Sequence, residues 1–331
     1  MEQSEVNALV NLLDDPDDGI YTQVKNKLLT LGEDIIPILE DAHGFSFDHI
    51  LQNRIENIIR KIQFDSITAQ LKNWAEFEAQ NLLSGAMLVA KYQYPDLDEK
   101  KLKKQLALIK KDIWLEFNEE LTGFEKVRII NHILYDIHGF SGNTSNIHAP
   151  QNSYINDVLE TKNGSPLSLS ILYIVIAQGL GMPVYGINLP KHFILACTVD
   201  DGDLGYIPTN ETKTELQVKI EEGRGTSKEY LTEQAEDSEG VPCGAGRGLG
   251  RRDSVLFYIN PFNKGAVFGR EYINAFLKQI KLKPEKSYYH PCTNIEIIQR
   301  LLSDLNFSYH RLGDPDKIKE MGLLMDTLGC H

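Results

Sequence analysis

The most hydrophobic stretch of the chain runs from Leu167 to Ala177, where only two serines interrupt the apolar positions. The run is too short to span a membrane and has no polar stripe, so we expect a helix that is buried on all sides. Ser165 is a good N-cap and Pro166 suits the first helical position, while Gly179 and Gly181 are stop signals. The pattern therefore predicts a capped, buried helix around which the rest of the chain is organised.

Strand patterns follow this helix. A strand, a short turn and a second strand are predicted after the glycines, with His192 at the start of the second strand. Side chains alternate between the faces of a strand, so His192 shares a face with Ala196, whereas Phe193 and Cys197 point the other way. A further strand, rich in aromatic and β-branched residues, is predicted from Val255 to Ile259. Cys197 is expected to be a small buried hydrophobe that does not face His192.

Helical periodicity dominates both ends of the chain. Residues 4–42 resemble one HEAT-type repeat, and the tail resembles one tetratricopeptide-type hairpin. Such units bury their apolar faces only against neighbours and commonly present extended protein-binding surfaces. We therefore predict a HEAT-like segment at 1–64, a helical lead-in at 65–139, a core at 140–291 and a tetratricopeptide-like hairpin at 292–331.

One part of the predicted core lacks apolar periodicity. Residues 208–253 are rich in glycine, glutamate, lysine and arginine, which is typical of an insertion that is either a mobile lid or disordered. The glycine cluster from Gly244 to Gly248 follows no strand and precedes no apolar helix, so it does not predict a dinucleotide site.

Composition and charge argue against several classes of function. A formal net charge of −13 argues against a nucleic-acid surface. The four cysteines are widely spaced without a CxxC motif, which favours a reducing cytoplasm over a disulfide framework or a zinc ribbon. No histidine spacing suits a metal, and we predict no metal and no cofactor. The acidic N-terminus does not resemble a signal peptide, and we predict no membrane partner.

The segment around the buried helix resembles a known family. The runs that carry the resemblance are PQNSYINDVLETKNGSPLSLSILY and LGMPVYGINLPKHFIL, which are similar to the SirB-type branch of the transglutaminase-like superfamily. This resemblance implies an α+β fold with a transglutaminase-like (cysteine-proteinase-type) core. In that fold a buried central helix packs on a small antiparallel sheet, here flanked by helical arrays.

The same resemblance implies that the catalytic thiol is absent. In the wider superfamily this helix begins with Gly-x-Cys, and Gly164 takes the place of the glycine while Pro166 takes that of the cysteine. His192 takes the place of the catalytic base, and Asn260 that of the aspartate of the triad. An amide can still orient an imidazole, but it supplies no carboxylate to stabilise an imidazolium, so His192 is expected to be a weak base.

Ser168 is the candidate replacement nucleophile. A serine needs a strong base, and a hydroxyl near a helix start more commonly bonds local backbone. Paired carboxylates Asp157 and Glu160 are expected to cap the helix or form ion pairs rather than to act as acid and base.

We predict that Asn152, Asn156, Asp157 and Pro166 line the cleft of a non-catalytic binding or scaffold protein with a protein or peptide partner. Two alternatives stay open. One is an acyl-transfer or amide-hydrolysing enzyme that uses Ser168 with His192 and Asn260. The other is a scaffold whose cleft is filled by bulky side chains over His192.

Overall fold

The computed structural model describes residues 3–198 and 255–329, in which helices surround a four-stranded sheet and a short two-stranded pair. The helices are α1 (Gln3–Asn11), α2 (Asp18–Leu29), α3 (Ile36–Phe45), α4 (His49–Asn73), α5 (Leu82–Gln93), α6 (Glu99–Glu116), α7 (Gly123–Asn131), α8 (Ile155–Thr161), α9 (Pro166–Gly179), α10 (Arg270–Gln279), α11 (Asn294–Leu312) and α12 (Pro315–Thr327). The strands are β1 (Ser141–Gly142), β2 (Asn163–Gly164), β3 (Val184–Leu189), β4 (His192–Thr198), β5 (Val255–Asn260) and β6 (Ala266–Phe268). The arrangement is α+β. The insertion predicted at 208–253 lies outside the described residues.

Two sheets are present among these strands. Strands β1 and β2 form a short parallel pair, and the other four form an antiparallel sheet in the order β3-β4-β5-β6. The hairpin between β3 and β4 turns at Lys191, which has a φ of 60°.

Helix α9 is buried along nearly its whole length, as its apolar pattern predicts. From Pro166 to Ala177 every side chain is buried except that of Val175, which is partly buried. The Ser165 side chain accepts a hydrogen bond from the Ser168 N–H as the N-cap, and Pro166 begins the helix. Beyond its end, Gly181 has a φ of 77°, a conformation that favours glycine.

The four-stranded sheet carries a buried apolar layer on each face. Phe193 and Cys197 of β4 belong to the main hydrophobic cluster, which also contains the side chains of α9. Ala196 of the same strand belongs to a second cluster with Ile273 and Phe276 of α10. The alternation predicted for β4 is confirmed, and α9 and α10 cover opposite faces of the sheet.

Helix α4 contributes to two cores. Its first half packs Ile55 and Ile58 into a cluster with α1, α2 and α3, whereas its second half packs Ile67 and Leu71 into the main cluster. The boundary predicted at residue 64 therefore falls inside a continuous helix. One apolar stripe runs past that point, and only its packing partners change.

Hydrogen bonds between phenols, carboxylates and a guanidinium join the C-terminal hairpin to the rest of the chain. The Tyr154 and Tyr309 hydroxyls lie 2.6 Å apart, which links the start of α8 to α11. Tyr92 of α5 donates to Glu320 of α12 at 2.6 Å, and Arg60 of α4 donates to the same carboxylate at 3.1 Å. The hairpin is thus tied to three other helices by polar contacts. Within the described ranges, no helix is both long and apolar enough to cross a membrane.

Helix α5 approaches the Trp74 ring closely at Gly85, which leaves no room for a larger side chain. A Cβ at Gly85 would lie 2.7 Å from Cζ2 of Trp74 and 3.0 Å from Cγ1 of Ile298. We expect Gly85→Ala to lower the free energy of unfolding by about 1–3 kcal/mol, because overpacking outweighs the helix propensity that alanine adds. In the matched control Gly44→Ala the new methyl group meets no atom within 4 Å. Urea unfolding followed by circular dichroism compares the two, and equal stability would contradict the prediction.

Candidate functional site

The start of α9 is closed by hydrogen bonds among its own residues and the preceding loop. The Ser168 hydroxyl donates to the Asn152 carbonyl at 2.5 Å and accepts from the Ser165 N–H at 2.9 Å. The Ser168 N–H in turn donates to the Ser165 hydroxyl at 3.1 Å. A serine nucleophile must direct its proton toward a base, whereas this proton is directed toward a backbone carbonyl. The geometry is that of a buried capping residue.

The same residues limit what the helix start offers to an anion. Pro166 occupies the first helical position and has no N–H, and the Ser168 N–H is bonded within the cap. Free amides in the first turn are the groups that stabilise an oxyanion in acyl transfer. Two of the first three amide positions of α9 therefore have no donor available for that role.

His192 lies on the other face of the sheet from α9. Its ring packs against Phe276 of α10, with centroids 5.8 Å apart, and the residue is 9% exposed. Within the described part of the chain its side chain makes no hydrogen bond, and its buried Nδ1 has no partner. Burial, reinforced by the positive charge of Arg300, lowers the pKa of His192 to about 4. The imidazole is therefore neutral near pH 7 and a weak base.

Asn260 ends β5 and caps the turn that follows. Its Oδ1 accepts hydrogen bonds from the N–H groups of Phe262 at 3.1 Å and Asn263 at 3.3 Å. The side chain thus fixes the 3₁₀ turn Pro261–Asn263 and makes no hydrogen bond to His192. An asparagine directly before a proline is itself an N-cap pattern, and this signal favours the capping role.

Asn152 holds the loop in front of α9. Its Nδ2 donates to the carbonyls of Asn146 at 2.6 Å and Ile147 at 3.0 Å, and its Oδ1 accepts from Asn143 at 2.9 Å. Because the Asn152 carbonyl also accepts the Ser168 hydroxyl, this loop and the helix start form one hydrogen-bonded unit.

Asp157 has a partner that the sequence did not indicate. Its carboxylate accepts from the Tyr94 hydroxyl at 2.7 Å and from Asn156 Nδ2 at 2.8 Å. Burial raises the pKa of Asp157 above its ordinary value. Instead of the ion pair or cap expected for this residue, the Asp157 carboxylate is held by a phenol 63 positions earlier in the chain. Local spacing carries no signal for such a contact.

No described thiol belongs to the cluster on the His192 face of the sheet. Cys197 lies in the cluster around α9, and burial raises the pKa of its thiol to about 12. Cys292 packs against the same cluster. In the parts of the chain with described positions, no three histidine, cysteine, aspartate or glutamate side chains are grouped to hold a metal ion.

Comparison with known proteins relates this region to one family. Residues 100–303, more than half of the chain, match the family model described as the transglutaminase-like superfamily. A UPF0162 protein of Xylella fastidiosa strain Temecula1 is 32% identical over 164 residues, which cover 50% of this chain and 57% of that protein. A UPF0162 protein of Pasteurella multocida is 24% identical over 234 residues, 71% of this chain and 76% of that protein.

A shorter match is to a larger protein. F-box only protein 21 of Homo sapiens is 36% identical over 97 residues, which cover 27% of this chain and 15% of that protein. The match to the Xylella relative named above spans less than two thirds of that relative's length. No solved structure gives a significant match.

The environment of His192 predicts a specific pH dependence of stability. Its pKa is about 4 in the folded chain against an ordinary value of 6.5, so between these values only the unfolded chain binds the proton. Stability should fall as the pH is lowered through this window, by about 2–3 kcal/mol from this group between roughly pH 7 and pH 4.5. His192→Phe keeps a ring beside Phe276 and should lose this contribution. Urea unfolding at both pH values measures it, and an unchanged pH dependence in the variant would refute the assignment.

Proposed function

The chain belongs to the transglutaminase-like superfamily, and from that premise we propose that it is a non-catalytic member, a pseudoenzyme that binds a protein or peptide partner. The observation that carries the proposal is the start of α9. By the resemblance, Pro166 takes the place of the superfamily's cysteine, and the hydroxyl of the candidate replacement, Ser168, donates to the Asn152 carbonyl. A helix start built in this way supplies a stable cap and no activated nucleophile.

The position of His192 supports the same conclusion. A general base must lie within hydrogen-bond reach of the proton it removes, either directly or through one water. His192 instead packs with Phe276, on the face of the sheet covered by α10, and its lowered pKa makes it a poor proton acceptor. Within the proposal, His192 takes the position of the superfamily base and serves packing.

Binding is the role that the remaining architecture favours. Within the proposal, the chain is a SirB-type member with a HEAT-like N-terminal segment and a tetratricopeptide-like C-terminal hairpin. Helical arrays of these kinds offer extended surfaces to peptides and proteins. The proposal places the protein in the cytoplasm, which agrees with the buried thiol of Cys197, a cysteine that forms no disulfide among the described residues.

One observation favours a competing function. His192 is neutral and its Nδ1 has no hydrogen-bond partner, so the imidazole has an unused nitrogen. The competing function is acyl transfer or amide hydrolysis by Ser168 with His192 and Asn260. It requires the Ser168 hydroxyl to leave the Asn152 carbonyl and His192 to leave Phe276.

Activity-directed labelling separates the two functions. We expect a fluorophosphonate probe to leave Ser168 unmodified, because its oxygen accepts one hydrogen bond and donates another inside the cap. Labelling of Ser168 is read by mass spectrometry in the wild type, in His192→Ala and in Ser168→Ala. Modification of Ser168 that disappears in His192→Ala would overturn the non-catalytic assignment.

Restoring the thiol tests the position of the base. In Pro166→Cys the introduced thiol lies at the positive end of the α9 dipole, which favours the thiolate. Since His192 contacts Phe276, we expect the iodoacetamide rate at position 166 to be the same, within about twofold, in Pro166→Cys and in Pro166→Cys/His192→Phe. A working general base contributes about 100-fold or more. A loss of that size in the double variant would show that the imidazole reaches the thiol.

A further inference from the structure

A surface cleft lies beside the loop that Asn152 anchors, outside the positions of the superfamily triad. It has a volume of about 320 Å³ and lies between the segment Asn146–Gln151 and the last turns of α11. This volume is at the lower end of the range for small-molecule sites. The cleft joins the superfamily core to the C-terminal hairpin, two parts of the chain that are distant in sequence.

The charge of the cleft is opposite to that of the whole protein. None of its eight lining residues is an aspartate or glutamate, although the chain as a whole carries a formal net charge of −13. Arg311 lines the cleft and makes no ion pair with any residue in the described ranges. An unpaired guanidinium in a concave site without acids attracts an anion.

Hydrogen bonds and a ring contact hold the wall of the cleft in place. Asn152 donates to two carbonyls of the loop, and Asn143 Oδ1 accepts from the Asn146 N–H at 3.2 Å. The His148 ring packs edge-on against Phe307 of α11, with centroids 5.4 Å apart. A wall that is already ordered loses little conformational entropy on binding, which favours affinity for a small ligand.

The side chains in the cleft define the ligand. The guanidinium of Arg311 is a planar fork that matches a carboxylate, and Asn146 and Gln151 belong to the same lining. Pro150 and Leu312 supply an apolar wall, and Leu312 is 65% exposed. We propose that this cleft binds a carboxylate that follows an apolar group, as at the C-terminus of a peptide or in a short-chain acid.

This inference deepens the proposed function, because it names the chemistry that a binding protein of this shape would recognise. The cleft is coupled to the superfamily site through Asn152. The side chain of Asn152 orders the cleft wall, while its carbonyl accepts the Ser165 N–H at 3.0 Å and the Ser168 hydroxyl. A ligand in the cleft therefore contacts a loop that is held by Asn152, the residue whose carbonyl closes the start of α9.

Isothermal titration calorimetry, which measures the affinity of the full chain for defined probes, tests the proposal. The probes are N-acetyl-Ala-Ala-Leu with a free carboxylate, the same peptide as its C-terminal amide, butyrate and inorganic phosphate. We expect the free acid to bind at least about tenfold more tightly than the amide, because only the acid forms the charge-assisted pair with Arg311. Butyrate binding as tightly as the peptide acid would identify a short-chain acid as the source, whereas weaker butyrate binding would identify a peptide end.

The variants assign the effect to the cleft. Arg311→Met should weaken binding of the peptide acid by about tenfold or more, while Arg128→Met, which removes an exposed arginine from α7, should leave it unchanged. If Arg311 only stabilises the end of α11, Arg311→Met would lower stability without changing binding, and the proposal would fail. It would also fail if acid and amide bound equally, if only phosphate bound, or if no probe bound at about 10 mM.

The two proposals fail in different ways. Modification of Ser168 by the fluorophosphonate would overturn the non-catalytic assignment and leave the cleft measurements as they stand. Loss of carboxylate binding would remove the ligand chemistry and leave the labelling result intact.

Discussion

The burial of α9 on every side is the constraint on which the rest of the structure depends. A helix that is apolar all round is stable only when other elements cover it completely. Here the sheet covers one side, and helices from both ends of the chain cover the others. The second half of α4, helices α5 to α7 and the C-terminal hairpin therefore complete the core, and α11 and α12 are tied to it through Tyr154, Tyr309 and Glu320.

Complete burial also determines the chemistry at the start of the helix. A buried hydroxyl without a partner is costly, so the serines inside α9 must be bonded locally. Ser168 donates to Asn152, and Ser170 donates to the Pro166 carbonyl at 2.6 Å. The bonds that make the helix start stable are the same bonds that engage the hydroxyls of Ser168 and Ser170. Stability and reactivity therefore compete for the same atoms.

The features that followed from local signals could be predicted from the sequence. The Ser165 cap, the Pro166 start and the alternation along β4 each depend on residues adjacent in the chain, and the structure has them. The contact between Tyr94 and Asp157 and the double role of α4 depend on long-range packing, to which no short pattern corresponds. The position of His192 against α10 depends both on the local alternation of β4 and on long-range packing. The face was predictable from alternation, but its occupant, Phe276, was not.

Helix α4 has a mechanical consequence. Its 25 residues form a rod about 37 Å long, and its two halves are embedded in different clusters of side chains. A flexible joint between two bodies absorbs rotation, whereas a shared rod transmits it. A force on the N-terminal helices is therefore transmitted through α4 to the main cluster, and the two clusters rotate together.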